Sequence, residues 1–307
     1  LGSVLGILMV GISPYLPSWL GAEEGLHRDA SLYFGIICAP MVFRAFSIIL
    51  GALMRGTGDT KSPMVANVIM NLTNIVFNFL LIYDTRYAHI GNIRILIPGA
   101  GLGVIGAAIG TAVAYIAGGI FMILVYCRNK TLSPKGYGLR FNGRLAAKCL
   151  RIGLPVAMER VSACLGQVVF TSLVTRLGTL ALATHSIAIT AEQAFYIPGY
   201  GMQAAASTMA GNALGRRDEK EFRQVTRLIV AIAVCLMTVT GALLFLFPGV
   251  MMSIFTEDAQ VIAGGKTVLK IVAVSEPVYA ALIILEGCFN GIGDTKAPFF
   301  MSIFSMW

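Results

Sequence analysis

Glu159, His185, Glu192 and Glu276 are titratable residues set inside sequence that is otherwise apolar enough to lie in a lipid bilayer, and Arg44 is a cation in the same kind of setting. An ionisable group at bilayer depth costs several kcal/mol unless it is paired or wet, so each is by default a candidate for binding or releasing a proton or a cation. Glu159 lies eight residues past Arg151, about 12 Å along a helix and so near the middle of a ~30 Å hydrocarbon core. Ser162 and Gly166 follow it at three and seven positions with Gln167 alongside, which gives one helix face a carboxylate, a hydroxyl and a gap. Such a face could line a cavity. His185 and Glu192 are seven apart and share a face, and beyond them Pro198 removes a backbone donor between Gly199, Tyr200, Gly201 and the preceding turn, where a helix would bend. Two readings stay open for each carboxylate: an ion or proton site, or a pair with Arg160 or with a neighbouring helix. Asn71, Asn74 and Asn78, at i, i+3 and i+7, put amides on one face of another apolar stretch. They line a cavity or join helices by hydrogen bonds. Arg44 neutralises an acid outside this stretch of chain or braces the bundle, and Glu276, just before Pro277, is a secondary candidate beside it.

The elements that must position these groups follow from composition. With 57% hydrophobic and 12% charged residues and a mean hydropathy of +0.79, the chain is far too apolar for a soluble domain, where roughly 25% charge is usual. Stretches of membrane-spanning length fall at about 1–20, 31–54, 62–83, 101–127, 149–176, 182–213, 222–247 and 265–290, and a ninth starts near Ala297. No sustained two-residue alternation of the barrel kind occurs, so the spans are helical. Of the 23 Lys and Arg, 15 lie in the turns after spans two, four, six and eight and six in the opposite loops. That asymmetry places the first set in the cytoplasm. The basic run Arg128 to Arg151 is accounted for by orientation and contact with anionic lipid, without a nucleic-acid partner. Its Pro- and Gly-containing centre, Asn129 to Gly138, reads as a linker. The six cysteines form no CxxC pair and no outer-loop cluster, which points to packing rather than to disulfides or zinc.

One phrase occurs twice. Gly56-Thr-Gly-Asp-Thr-Lys-Ser-Pro63 returns as Gly291-Ile-Gly-Asp-Thr-Lys-Ala-Pro298, 235 residues later, each copy between two apolar stretches. Its glycines allow a tight reversal, Asp59 and Asp294 can cap the following helix, and Pro63 and Pro298 sit where a first helical turn needs no donor. Six spans separate the copies, so both face the cytoplasm and the halves form a parallel repeat. Duplicated membrane proteins with polar residues inside their helices are commonly secondary transporters, because two similar halves can rock about a site held between them.

The turn phrase, together with Ile152-Gly-Leu-Pro-Val-Ala-Met-Glu159, Gly166-Gln167, Leu177 to His185, Ile197-Pro-Gly-Tyr-Gly201 and Ala210-Gly-Asn-Ala-Leu-Gly215, resembles the multidrug and toxic compound extrusion (MATE) transporters over essentially the whole chain. The resemblance implies an all-α integral membrane protein, a polytopic bundle of two parallel six-helix repeats. About twelve spans are expected when it is intact, of which eight and part of a ninth are read here. It further implies an N-terminal lobe over 1–127 without its first two helices, a cytoplasmic linker over 128–148, and a C-terminal lobe over 149–307 without its last helices. The implied function is antiport in a cell's inner, or plasma, membrane. Organic cations or other amphipathic compounds would leave against inward H+ or Na+, with no cofactor, no nucleic acid and no obligatory protein partner. By the resemblance, Glu159 and Glu192 match positions commonly acidic in one branch, with His185 beside them. Asn78 stands where some relatives carry an acid, and Tyr279 stands where another branch carries a sodium-binding Asp. Asn71, Asn74, Asn78, Ser162, Gln167 and Tyr200 are the expected cavity-lining residues, and Pro198, Gly199 and Gly201 the expected bend.

Two further matches are decoys. Gly101-Leu-Gly-Val-Ile-Gly106 fits GxGxxG, but it opens an apolar helix that continues with Gly110, Ala114 and Gly118, a helix-packing pattern with no preceding strand. Gly265-Lys266-Thr267 lacks the first glycine of a phosphate loop. A flippase for lipid-linked sugars is the nearest rival function, though it would call for a more basic cavity. A membrane-embedded enzyme is remote, since neither HExxH nor GxSxG occurs and His27, His89 and His185 are far apart in sequence.

Overall fold

The computed structural model describes residues 2–19, 24–90, 93–129, 132–133 and 142–306. Of the expected linker 128–148, residues 130–131 and 134–141 lie outside the described residues. The chain separates into two units, Leu1–Leu139 and Arg140–Trp307. The described residues are almost entirely helical. Five helices are long and apolar enough to cross a membrane, or six when one bent pair counts as a single span.

Unit 1 comprises α1 (Gly2–Ile12), α2 (Leu16–Trp19), α3 (His27–Cys38), α4 (Met41–Gly56), α5 (Lys61–Leu81), the strands β1 (Asp84–Ile90) and β2 (Ile93–Ala100), and α6 (Gly103–Arg128). The expected first span is not one helix. The chain turns at Ser13 to Tyr15, where Pro14 can supply no helical amide. That turn is tied to α3, because the Ser13 hydroxyl donates to the Ser31 carbonyl and Ser31 Oγ donates back to the Ser13 carbonyl at 2.9 Å. The second span is α3 and α4 joined at a 44° bend, with Pro40 at the break. Between α5 and α6 the loop folds as an antiparallel hairpin with an irregularity between Asp84 and Arg86. The hairpin lies between spans, where hydropathy carries no signal, and it corrects one expectation: a strand, β2, does precede Gly101–Gly106, although it belongs to a two-stranded hairpin and not to a parallel nucleotide-binding sheet.

The spacing of small residues along α6 does what the sequence implies. Gly106, Ala108, Gly110, Ala112, Ala114, Gly118 and Gly119 are buried. A Cβ at Gly119 would come within 2.7 Å of the Phe43 carbonyl oxygen, so α6 meets the backbone of α4. The turn phrase also behaves as expected in its first copy. Gly58 is left-handed at φ +91°, and Asp59 accepts from Ser62 N at 3.0 Å and from Ser62 Oγ at 2.6 Å. Those two donors hold the Asp59 carboxyl below the usual carboxylate range.

Unit 2 comprises α7 (Gly143–Thr175), α8 (Thr179–Gly215), α9 (Glu219–Leu246), α10 (Pro248–Ser253), α11 (Ala259–Ile292) and α12 (Lys296–Met306). Three starts carry side-chain caps: Asn142 accepts from Arg144 N and Leu145 N, Asp218 from Glu221 N, and Asp258 from Gln260 N and Val261 N. The core lies where α8, α9 and α11 meet, with Ala206, Ala210, Ala233, Met237, Ala280 and Ile284 at its centre. A second cluster holds Ala188, Ala191, Leu244, Leu269 and Ala273. α8, the expected sixth span, has ample length at 37 residues, but it is too polar to count among the five apolar helices. Ala188, Ala191, Gly199, Ala206, Ala210 and Ala213 turn inward, whereas Ala194, Ala204 and Ala205 are exposed. In the second turn phrase Gly293 repeats the left-handed conformation at φ +84°. Ala297 replaces Ser62, so the side-chain donor that Asp59 uses has no counterpart for Asp294.

Candidate functional site

The polar residues singled out in the sequence fall into three groups, two in unit 2 and one in unit 1. The first group lies along the parallel contact of α8 and α11, which is fixed by Thr184 facing Gly264 and Gln203 facing Gly287. Glu192, Tyr196 and Tyr200 repeat every four residues on one face of α8, and α11 brings Glu276 and Tyr279 to them. Glu276 is 1% exposed, and its Oε2 has no partner among the described residues. Its stem packs on α9, since a Cβ at Gly241 would sit 3.1 Å from Glu276 Cβ. Glu192 is half-buried and close enough for its charge to act on Glu276, and both carboxylates act on Tyr196. Tyr200 and Tyr279 share a hydrogen bond of 3.1 Å between their hydroxyls. The Tyr196 ring stands edge-on to both, with centroids 5.6 and 6.2 Å away. This is a pair of carboxylates under a roof of three phenols, enclosed by apolar helices.

The second group is centred on Glu159, the only buried residue of α7. The sequence left open a pair between Glu159 and Arg160. Arg160 turns to Glu286 on α11 instead, with Nη2 to Oε1 at 3.3 Å. Glu159 Oε2 is buried without a partner, and the carboxyl meets that of Glu286. A further tie between α7 and the turn before α12 comes from Thr295 Oγ1, which donates to the Ile152 carbonyl at 2.9 Å. His185 is not joined to Glu192: its ring tilts against Phe170 at 5.2 Å, and its Nε2 is buried without a partner. Ser162 is half-buried, whereas Gln167 is exposed. α8 is continuous through Pro198, which is exposed as is Gly201. Gly199 is buried where a Cβ would come within 2.8 Å of Met237 Sδ.

The third group lies in unit 1 and carries no carboxylate. Asn78 Nδ2 donates to Asn74 Oδ1 at 3.1 Å, Asn74 Nδ2 to Thr111 Oγ1 at 3.1 Å, and Thr111 Oγ1 to the Ala107 carbonyl at 2.9 Å. Asn71 is exposed and outside this chain of bonds. One turn along the same helices, the Arg44 guanidinium lies 4.9 Å from the centroid of the Tyr115 ring, and its Nη1 contacts Met70 Sδ at 3.5 Å. A cation over an aromatic ring contributes about 0.5–2 kcal/mol. An arginine at mid-bilayer costs roughly 2.5–3.5 kcal/mol or more.

Tyr196, Tyr279 and Glu286 were not among the sequence candidates. The four-residue step from Glu192 points to Tyr196, and the resemblance marks Tyr279 as the place of another branch's sodium-binding Asp; for Glu286 the signal is tertiary. No set of three His, Cys, Asp or Glu among the described residues is placed to hold a metal ion.

A family model described as MatE matches residues 1–80 and 155–307. The chain belongs to the MatE family. A probable multidrug resistance protein NorM of Thermotoga maritima is 24% identical over 98% of this chain and 64% of its own length. An uncharacterized transporter, YisQ, of Bacillus subtilis is 25% identical over 94% of this chain and 61% of its own. This MatE chain therefore spans somewhat less than two thirds of these curated relatives. Among solved structures, an outward-facing multidrug resistance MATE family transporter of the MOP superfamily aligns with TM-score 0.86 at 22% identity, over 99% of this chain and 65% of that one. A MOP superfamily transporter from Pyrococcus furiosus, described as having a binding pocket of reverse polarity, aligns with TM-score 0.84 at 23% identity, over 99% of this chain and 66% of that one. These likenesses establish the fold, an all-helical membrane bundle.

Proposed function

We propose that this MatE protein works as part of a secondary antiporter in the plasma (inner) membrane, exporting amphipathic organic compounds in exchange for H+ or Na+ by alternating access. The observation that carries the reading is the Glu192–Glu276 pair. Two carboxylates facing one another in an apolar interior repel when both are ionised, and a single proton or small monovalent cation relieves that repulsion. Occupancy of such a site by the inward-moving ion, and its release on the other side, is what coupling requires. Glu159, beside the Arg160–Glu286 pair, is a second proton-accepting position on the same unit, and His185 a third group able to accept a proton. Polar lining for the exported molecule is assigned within each unit by itself, to Asn71, Asn74 and Asn78 in unit 1 and to Ser162, Gln167 and Tyr200 in unit 2, and Pro198 with Gly199 and Gly201 is the flexible point of α8. The names of the relatives, probable multidrug resistance proteins and a transporter, support the export of small molecules. A lipid-linked oligosaccharide flippase is the second reading, favoured by one observation, the cation Arg44 inside unit 1. The carboxylates of unit 2 weigh against it.

The test is ethidium efflux from everted vesicles carrying the full-length protein, with a proton gradient and a sodium gradient imposed separately. Acceleration by one gradient, lost in Glu192→Gln and Glu276→Gln, is the expected result. Absence of acceleration by either, with the protein confirmed in the membrane, would overturn multidrug antiport and bring the flippase reading forward.

A further inference from the structure

The two carboxylate groups of unit 2 are joined by phenols. On α11, Tyr279 and Glu286 follow Glu276 at three and ten residues, which keeps the three within about 80° of the helix circumference over ~15 Å of its length. On α8, Tyr196 and Tyr200 follow Glu192 at four and eight residues, again within about 80°. The contacts between the two helices order these groups along one seam. Glu192 and Glu276 both act on Tyr196 at its deep end. The Tyr196 ring stands 6.2 Å from that of Tyr279, whose hydroxyl shares a hydrogen bond of 3.1 Å with that of Tyr200. Beyond them the charge of Glu286 reaches Tyr279. Glu286 in turn meets the Glu159 carboxyl and pairs with Arg160 at 3.3 Å. That end of α11 leads into the turn phrase, the side that the distribution of basic residues assigns to the cytoplasm. α9, the third helix of this core, has no charged residue from Leu228 to Leu246.

We infer that Tyr196, Tyr279 and Tyr200 form a proton relay joining the Glu192–Glu276 pair to Glu286 and Glu159, and that the ion the pair exchanges with the cytoplasm is H+. The inference rests on the export reading for the use made of the proton, but the relay itself can be measured without export. A phenol both donates and accepts a hydrogen bond and is neutral near pH 7, so it passes a proton without holding a charge in the apolar interior. The step balances. As the Tyr196 oxygen takes the proton leaving Glu276, its own hydroxyl proton moves to the Tyr279 oxygen and the Tyr279 proton to ionised Glu286, with a water carrying the proton across any gap too long for direct transfer. One O–H bond breaks and one forms at each of these two phenols, Glu276 ends ionised and Glu286 protonated, and Glu159 beside it is the next acceptor. The Tyr200 hydroxyl holds that of Tyr279 in line. Na+ cannot travel along fixed hydroxyls in this way.

The full-length protein in lipid nanodiscs is given a rapid drop in pH while the infrared band of protonated carboxyl groups is followed in time, and the part of the band lost in Glu276→Gln reports proton uptake by Glu276. Tyr196→Phe and Tyr279→Phe each remove one oxygen and leave the ring in place. The expected result is uptake slowed roughly tenfold or more in each, with a smaller slowing in Tyr200→Phe. The pH midpoint of the band should stay where it is, because a relay sets the rate of protonation and not its equilibrium; a tyrosine that only packs the helices would leave the rate alone or move rate and midpoint together. An unchanged rate in Tyr279→Phe, a midpoint that moves with the rate, or no band that depends on Glu276 overturns the inference. Should Tyr279→Phe fail to reach the membrane, Glu286→Gln, which removes the acceptor beyond it, decides by the same rate. Gradient-driven efflux from everted vesicles then separates the two ideas. Efflux driven by sodium and not by protons overturns the inference and leaves export standing, whereas slowed uptake in Tyr279→Phe with no wild-type efflux under either gradient removes the export reading and leaves the relay standing.

Discussion

Gly56 and Gly291 occupy the same place in the two copies of the turn phrase, yet an added methyl should act on them with opposite sign. At Gly291 a Cβ would lie 2.1 Å from the Ser207 carbonyl oxygen. Ordinary contact begins near 3.4 Å, so α8 and α11 would have to separate by more than an ångström at the closest glycine-to-backbone approach of unit 2. The approach is mutual, since a Cβ at Gly211 would meet the Gly291 carbonyl oxygen at 2.9 Å. Overfilling a packed contact costs about 1–3 kcal/mol, and with backbone as the obstacle the upper part of that range applies. At Gly56 nothing lies within 4 Å, and replacing a helical glycine by alanine removes unfolded-chain entropy worth roughly 0.5–1 kcal/mol. The two variants should therefore differ by about 2–4 kcal/mol, or on the order of 5–10 °C in apparent melting temperature. The assay is the loss of the monodisperse chromatographic peak on heating of the solubilised full-length protein, with all variants heated identically because membrane proteins seldom unfold reversibly. Gly291→Ala should melt below wild type and Gly56→Ala at or above it. Equal shifts at the two positions, or no shift at Gly291, would refute the claim that the repeated phrase serves as a helix contact in its second copy and as a turn in its first.

The caps of the two phrases should separate in the same assay. Asp59→Ala removes an acceptor of two hydrogen bonds and should cost about 1 kcal/mol, whereas Asp294→Ala, followed by Ala297 instead of a serine, should cost less. Because the folded Asp59 carboxyl is held below its ordinary range, its contribution is full above that range and fades as pH falls through it, so the Asp59→Ala deficit should shrink on acidification. Thr111→Val leaves Asn74 Nδ2 without its acceptor and should lower stability by about 1 kcal/mol, with Thr111→Ser close to wild type. Gly241→Ala would press a methyl to 3.1 Å from Glu276 Cβ and 2.9 Å from the Ala273 carbonyl oxygen. It should reduce gradient-driven efflux in vesicles without altering any charge, and unchanged coupling would show that the setting of Glu276 is immaterial.

Much of the helical architecture was legible because length and apolarity are sufficient for α5, α6, α7, α9 and α11. The first span was over-read. Apolarity continues through Ser13 and Pro14, and hydropathy does not register a missing amide donor or the reciprocal Ser13–Ser31 bonds that hold the turn. The hairpin of β1 and β2 was invisible for the opposite reason, since hydropathy searched for spans and the loop lay between them. At the site, the sequence could nominate carboxylates by depth but could not choose their partners. Glu276 is a secondary candidate in the sequence because it lies one turn from Tyr279, where another branch carries an acid, and its nearness to Glu192 emerges only when α11 lies parallel to α8. Arg160, adjacent to Glu159 in the chain, points to Glu286 because consecutive residues on a helix face about 100° apart.

The two units share the turn phrase but not the charges of their described helices. The turn phrase is retained in both, with the same left-handed glycine, because any antiparallel reversal of this kind needs it. Among the described residues the interior charges differ: the helices of unit 2 hold Glu159, Glu192, Glu276 and Glu286 with Arg160, while α4 holds Arg44. Had the acids served only to bind helices together, each would be expected with a donor within reach. Instead Glu159 and Glu276 each keep a buried oxygen unsatisfied, a state that costs roughly 1–3 kcal/mol or more per group and persists where the group is needed in more than one state of protonation or occupancy. Unsatisfied acids of this kind are what the coupling role proposed for unit 2 requires, since the carboxylate must pass between an ion-bound or protonated state and an empty one.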